Sequence, residues 1–218
     1  FEFRMVGSRD SVAECNVVLN TIVAEAFSDA CDVLEKAEDF ELAVHDLIKE
    51  YATEHQRIVF NGNGYSEEWV EEAKRRGLPN INSMVEAIPA LVTDKAIQLF
   101  GKFGVFTEAE LRSRAEIQYE AYAKAINIEA KTMIEMASKQ YIPAVISYVT
   151  SLADSINSIS AACAEADLSV QKDLLTKCSS LLAEAQKALN DLVAADAKAN
   201  SMEEGKEQAE FFKDTVFT

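Results

Sequence analysis

Glu2 and Arg4 stand two residues apart in the opening segment Phe-Glu-Phe-Arg-Met-Val. On a strand, alternate residues share a face, so the two side chains would lie about 6–7 Å apart along the chain. A carboxylate and a guanidinium placed in this way can hold a divalent metal and an anionic oxygen of the same ligand. The pattern alone equally describes a charged pair on a solvated sheet face, and nothing that follows supplies the further carboxylates a catalytic metal needs. The two histidines offer less. Di-iron bundles use Glu-x-x-His pairs, whereas Leu42 stands three before His45 and Ala52 three before His55. Gly62-x-Gly64, after Ile58-Val59-Phe60, imitates the start of a nucleotide loop. It lacks the third glycine and the Lys-Ser/Thr that would follow, so it reads as an interhelical loop.

The elements that must position these residues are mostly helical. Phe1, Phe3 and Met5 alternate with Glu2 and Arg4, which predicts a short strand over 1–6. After Gly7, Asp10 or Ser11 caps a helix whose apolar stripe is Val17, Val18, Ile22, Ala26, Ala30 and Leu34. A second helix is predicted from about Asp39 to Ile58. Asn61-Gly62-Asn63-Gly64 breaks the chain. Ser66 then caps a short helix that ends in Arg75 and Arg76 before Gly77, as the helix dipole and C-cap preferences dictate. Ser83-x-x-Glu86 and Thr107-x-x-Glu110 are capping-box patterns, the first before a helix distorted by Pro89. Thr93 to Lys102 forms another short helix.

From Gly104 to Gly205 there is no glycine, and Pro143 alone interrupts the helical pattern, so a kink or break is expected between Ser138 and Pro143. Leu152, Ile156, Ile159 and Cys163, and then Leu174, Cys178, Leu181, Ala185, Leu189 and Leu192, step by three and four. They are expected as inner stripes of two long antiparallel helices, with the turn at Asp167 to Ser169. Phe211 and Phe212 are expected to anchor an acidic tail. The predicted architecture is therefore mostly α, a helical bundle of long antiparallel helices with one short N-terminal strand.

Composition bounds the function. The chain has 218 residues, 49 % apolar and 27 % charged, enough for a core without metal or disulfide staples. Its net charge of −16 repels a phosphate backbone and anionic lipid, so neither nucleic acid nor a membrane is an expected partner. Cys15, Cys31, Cys163 and Cys178 form no CxxC pair and match no zinc spacing. They read as reduced, mostly buried thiols of a cytoplasmic protein. The chain begins at Phe1 and carries no signal-peptide pattern, which suggests a piece of something longer.

Several blocks carry a family resemblance. FEFRMVGS followed by NVVLNTIVAEAF resembles the late part of the catalytic domain of glutamine synthetases. VFNGNGYSEEWVEEAKRRGL, VTDKAIQLFGKFGVFTEAEL and INIEAKTMIEMA resemble the C-terminal region of the type III class of that family. The resemblance implies an ATP-dependent glutamate–ammonia ligase that uses Mg²⁺ or Mn²⁺. It implies that Glu2 is a metal ligand and that Arg4 contacts the nucleotide phosphates or the transferred phosphoryl group. It also implies ring-type homo-oligomers. The implied layout is residues 1–60 closing the catalytic domain, 61–107 a loop with short helices, and 108–218 a C-terminal helical bundle. No cofactor is expected on this fragment alone, which should be inactive by itself. The competing reading is a non-catalytic helical interaction module, which rests on the amphipathic second half and the acidic surface.

Overall fold

A computed structural model of the chain describes residues 11–218. The strand expected over 1–6 lies outside the described residues. Within them the chain is helical and contains no strand. It divides into two units, 1–115 and 116–218.

In the first unit, α1 (Val12–Leu34) starts at Ser11, whose hydroxyl accepts from the Ala13 amide at 3.2 Å. α2 (Phe40–Glu54) starts at Asp39, whose carboxylate accepts from the Leu42 amide. It is shorter than its sequence pattern suggests: the helix closes at His55 and tightens into a 3₁₀ turn over Gln56–Ile58. α3 (Glu67–Arg75) is capped by Ser66, and Gly77 ends it at φ +70°, with Leu78 N–H donating to the Ala73 carbonyl. This is a Schellman closure, and it needs the left-handed conformation that glycine adopts without strain. The one-turn helix α4 (Met84–Ala87) starts at Ser83, which accepts from Val85 N–H. Pro89 then falls in a 3₁₀ segment, Ile88–Val92, so the expected distortion is present. α5 (Asp94–Lys102) is capped by Thr93.

The core of this unit is small. Val85, Ile88, Phe100 and Leu111 are buried, and the Phe100 and Phe106 rings meet at 5.5 Å. The expected stripe of α1 is only half covered: Val17, Val18, Ala30 and Leu34 are half-buried, Ile22 and Ala26 are exposed, and the one buried residue of the helix, Thr21, lies beside the stripe. On α2, Leu47 is buried, but Phe40 and Ile48 face solvent.

α6 (Glu108–Met136) opens with the reciprocal capping box. Glu110 Oε2 accepts from Thr107 N–H at 2.8 Å, and Thr107 Oγ1 accepts from Glu110 N–H at 3.3 Å. The helix continues into the second unit and meets a π-helical turn over Ala137–Tyr141, where the Ile142 amide donates to the Ala137 carbonyl. α7 (Ile142–Ala162) follows with Pro143 in its first turn. The kink or break expected between Ser138 and Pro143 takes the form of this π turn within a continuous helical run. A proline cannot donate, and its ring clashes with the carbonyl four residues back, so the wider π turn precedes it.

α7 and α8 (Ser169–Asn200) pack antiparallel, joined by a short turn in which Asp167 accepts from the Ser169 amide at 2.9 Å. The least exposed apolar positions of α7 are Ile142, Val145, Val149, Leu152, Ile156 and Ile159. Those of α8 include Leu168 just before it, then Leu175, Cys178, Leu182, Leu189 and Leu192. The α7 set follows three-four steps and the α8 set steps of three, four and seven, the spacing of a coiled-coil seam. This corrects the sequence reading by one position on α8: Leu174 and Leu181 are exposed, and their neighbours Leu175 and Leu182 face α7.

The unit is closed by α9 (Lys206–Phe211) and a π turn over Phe212–Val216. Phe212 is buried against Ala123, Ile126, Ala130, Ala199 and Val216, with Phe211 at its edge. Both expected anchor residues pack. The four cysteines carry free thiols, but they are not the buried residues the sequence suggested. Cys31 and Cys163 are exposed, and Cys15 and Cys178 are half-buried. Cys163 sits at the C-cap of α7, beyond the last seam position.

Candidate functional site

Glu2 and Arg4, the residues singled out for metal and phosphate, lie outside the described residues. The other sequence candidates resolve plainly. His45 is exposed and its ring nitrogen lies 3.2 Å from Asp46 Oδ1; His55 faces the ring of Tyr51 at 6.1 Å. Among the described residues no group of three or more His, Cys, Asp or Glu side chains is placed to hold a metal ion. The Gly62-x-Gly64 segment is an interhelical loop that spends its polar groups on itself. Asn63 Oδ1 accepts from Tyr65 N–H at 3.1 Å, and the Ser66 hydroxyl donates to the Asn63 carbonyl at 3.0 Å.

Two polar assemblies within the first unit escaped the sequence reading. One locks the loop onto α3. Phe60 stacks on Trp69 with ring centroids 3.9 Å apart, and the Arg76 guanidinium lies over the same Trp69 ring at 5.5 Å. Arg76 also donates to the carbonyls of Arg57, in the middle of the 3₁₀ turn, and Val59, its C-cap. Glu72 accepts from both Arg75 and Arg76. Those hydrogen bonds, Arg75 first and Arg76 second, hold the Glu72 carboxyl down at about 2. The signal was present as Glu-x-x-Arg-Arg, a spacing of three and four that puts both guanidinia over one carboxylate.

The second assembly is an open groove between α1 and α5. Ile22, Ala26 and Leu99 form its floor, and Glu25, Asp29, Lys95 and Lys102 stand around it. Lys102 pairs with Glu25. That hydrogen bond, helped by the charges of Glu25, Asp29 and Asp32, raises the Lys102 ammonium above its ordinary value. The arrangement neutralises charge across the two helices and brings no nucleophile or general base into reach of a reacting group. No helix among the described residues is long and apolar enough to cross a membrane.

Comparison with known proteins supplies what the local geometry does not. A family model described as the glutamine synthetase C-terminal domain matches residues 43–160. A glutamine synthetase of Butyrivibrio fibrisolvens is 40 % identical over 177 residues, 79 % of this chain and 25 % of that protein. The type-3 glutamine synthetase of Dictyostelium discoideum is 40 % identical over 162 residues, 73 % of this chain and 22 % of that one. A glutamine synthetase of Bacteroides fragilis is 29 % identical over 224 residues, covering 99 % of this chain and 31 % of its own length. The chain therefore spans between 22 and 31 % of the length of these relatives.

Proposed function

The chain belongs to the glutamine synthetase C-terminal domain family, and on that premise we propose that it is the C-terminal part of an ATP-dependent glutamate–ammonia ligase of the type III class. The observation that supports this reading is the family match over residues 43–160, preceded in the same chain by the Glu2-x-Arg4 pair. In this reading residues 1–60 end the catalytic domain, 61–107 form a connecting loop with short helices, and 108–218 form a helical bundle with a structural or oligomerisation role. The protein works in the cytoplasm as a ring-type homo-oligomer on glutamate, ammonia and ATP.

The chemistry assigns each residue a task. Glutamate is phosphorylated on its side-chain carboxylate, and ammonia then displaces the phosphate. Such phosphoryl transfer depends on positive charge around developing negative oxygens. Mg²⁺ or Mn²⁺ supplies part of that charge when bound. Among the described residues no group of side chains suits such an ion, so its further ligands would come from the longer protein. Glu2 would contribute one carboxylate to the metal on the nucleotide side. Arg4 would span phosphate oxygens with its planar fork, a geometry lysine cannot copy.

The test is phosphate release that depends on ATP, glutamate and ammonia together. The 218-residue chain alone is expected to be silent. In the longer protein, Glu2→Gln keeps the shape and removes the charge, and turnover should fall by about 10²–10³, the scale of losing one electrostatic contact to the transition state. Arg4→Lys should also be harmful. Clear activity from the isolated chain, or near-normal turnover in Glu2→Gln, would overturn the reading.

A further inference from the structure

The α7–α8 arm has a seam on one side only, and the two flanks of that seam differ. No residue of α7 is fully buried, because a two-helix seam cannot cover both helices. One flank carries Tyr141 and Tyr148 from α7 and Leu174 and Leu181 from α8, with Val170 on the outward side next to them. Their exposures are 58, 48, 38, 52 and 66 %, respectively. The other flank shows only Ile146 and Val193 among large exposed apolar side chains. Tyrosine-bearing apolar strips of this kind are the usual centre of protein interfaces.

The charges around the strip say what covers it. α7 carries a single charged side chain, Asp154, in 21 residues. From Ser169 to Leu189, α8 carries Lys172, Asp173, Lys177, Glu184 and Lys187, all five exposed, with Lys172 on the side of the helix away from Leu181. Lys177 and Glu184 are centred between residues 180 and 181, and Asp173 and Lys187 are centred on 180. A second α8 laid antiparallel across the first, with the crossing at Ser180 and Leu181, places Lys177 opposite Glu184 and Asp173 opposite Lys187. Twofold symmetry then repeats each pair, as an isologous contact requires. The chain has a net charge of −16, so most of its surface repels another copy. This strip matches its own charge pattern in reverse.

We propose that the α7–α8 arm is a self-association surface, through which two copies of this chain pair about a twofold axis near Leu181 into a four-helix bundle. Four-helix bundles of paired hairpins bury the flanks that a single hairpin leaves open. Leu174, Leu181 and Tyr148 form the dry centre, and the Lys177–Glu184 and Asp173–Lys187 pairs form the rim and fix the antiparallel register. This contact is independent of the ligase reading: it rests on residues of the arm alone.

The test is sedimentation equilibrium of the 218-residue chain, with helix content followed by circular dichroism. The wild type is expected as a concentration-dependent dimer. Leu181→Asp should raise the dimer dissociation constant about a hundredfold, as expected for a central anchor present twice, with helix content unchanged because Leu181 is half exposed. Lys177→Glu sets two like-charged pairs in the rim and should weaken the dimer about tenfold. Lys177→Glu combined with Glu184→Lys restores complementarity and should return the dissociation constant to within about threefold of wild type. A monomer at every concentration up to about 100 µM would leave the strip to a different partner and overturn the proposal. So would a dimer unmoved by Leu181→Asp, or a double charge reversal no better than the single one.

Discussion

Truncating Phe212 to alanine tests the packing of the second unit at its most committed point. Phe212 is 1 % exposed and is the largest fully buried side chain of the cluster it shares with Ala123, Ile126, Ala130, Ala199 and Val216. Phe→Ala changes in cores cost about 3–5 kcal/mol, and the cost rises with the cavity that remains. Three of the five neighbours are alanines fixed on α6 and α8, and a methyl group on a helix backbone cannot swing into the vacated space. The loss should therefore fall in the upper half of that range, at about 4 kcal/mol. Against a total stability of about 5–15 kcal/mol, this is a large fraction. Urea unfolding followed by far-ultraviolet circular dichroism reads it directly. Phe217, five residues later and 67 % exposed, provides the control: Phe217→Ala should change stability by less than about 0.5 kcal/mol. A loss below about 1.5 kcal/mol at Phe212, or equal losses at the two positions, would show that the tail does not close the core in the way described.

Two further outcomes follow from the charge and thiol environments. The Glu72 carboxyl falls from 4.5 to about 2 on folding, so its contribution to stability is complete above 4.5 and is lost as the pH drops through about 2; Trp69 fluorescence, reporting the Arg76 guanidinium over its ring, should change in that window and lose the change in Glu72→Gln, and a transition centred at 4.5 in the native chain would contradict the clamp. A thiol reagent should modify Cys31 and Cys163 first and Cys15 and Cys178 more slowly, reaching four groups in denaturant; equal rates for all four, or fewer than four in total, would contradict the exposures.

Local signals were the legible part of this fold. Ser66, Ser83 and Thr107 cap the helices that their types and spacing suggested, Ser11 is the cap of the Asp10-or-Ser11 pair, and Asp39 and Thr93, expected only as helix starts, also cap, because a cap is settled by the residue and the next three amides. The face a helix buries is settled by its partner, which a single sequence does not display. Leu174-Leu175 and Leu181-Leu182 are doublets, and either member of each completes a three-four stripe. Only the position of α7 selects the second member. The exposed Ile22, Phe40 and Ile48 have the same origin: periodicity marked them as apolar-face residues, and the described unit contains nothing that covers them. The Glu72 clamp was legible in principle, but its basic residues also satisfied the helix-dipole rule, and that simpler reading hid the second use. The Glu2-x-Arg4 pair remains a statement about sequence, since it lies outside the described residues.

The π turn before Pro143 has a consequence that reaches the whole second unit. Within the second unit the buried positions of α6 are Tyr119, Ala123, Ile126 and Ala130, stepping by four, three and four. Continued at an average of 3.5 residues, that stripe would pass through 137, 140 or 141, 144 and 147 or 148. In α7 it would then fall on Ala144 and between Ser147 and Tyr148, beside the apolar stripe of α7 and not on it. The observed seam runs through Ile142, Val145, Val149, Leu152, Ile156 and Ile159, one position later throughout. A π turn inserts one residue into an α-helix, since its hydrogen bonds reach five residues back instead of four. The amide of Ile142 makes such a bond to the carbonyl of Ala137. The inserted residue shifts the stripe by the one position needed to bring Val145 and Leu152 round to face α8. Pro143 fixes where this happens, because the missing donor and the ring clash are absorbed at the N-terminal end of α7 and not inside it. The α8 helix, in contrast, keeps its seam from Leu168 to Ala199 with no insertion, so it alone needs no device to stay in phase.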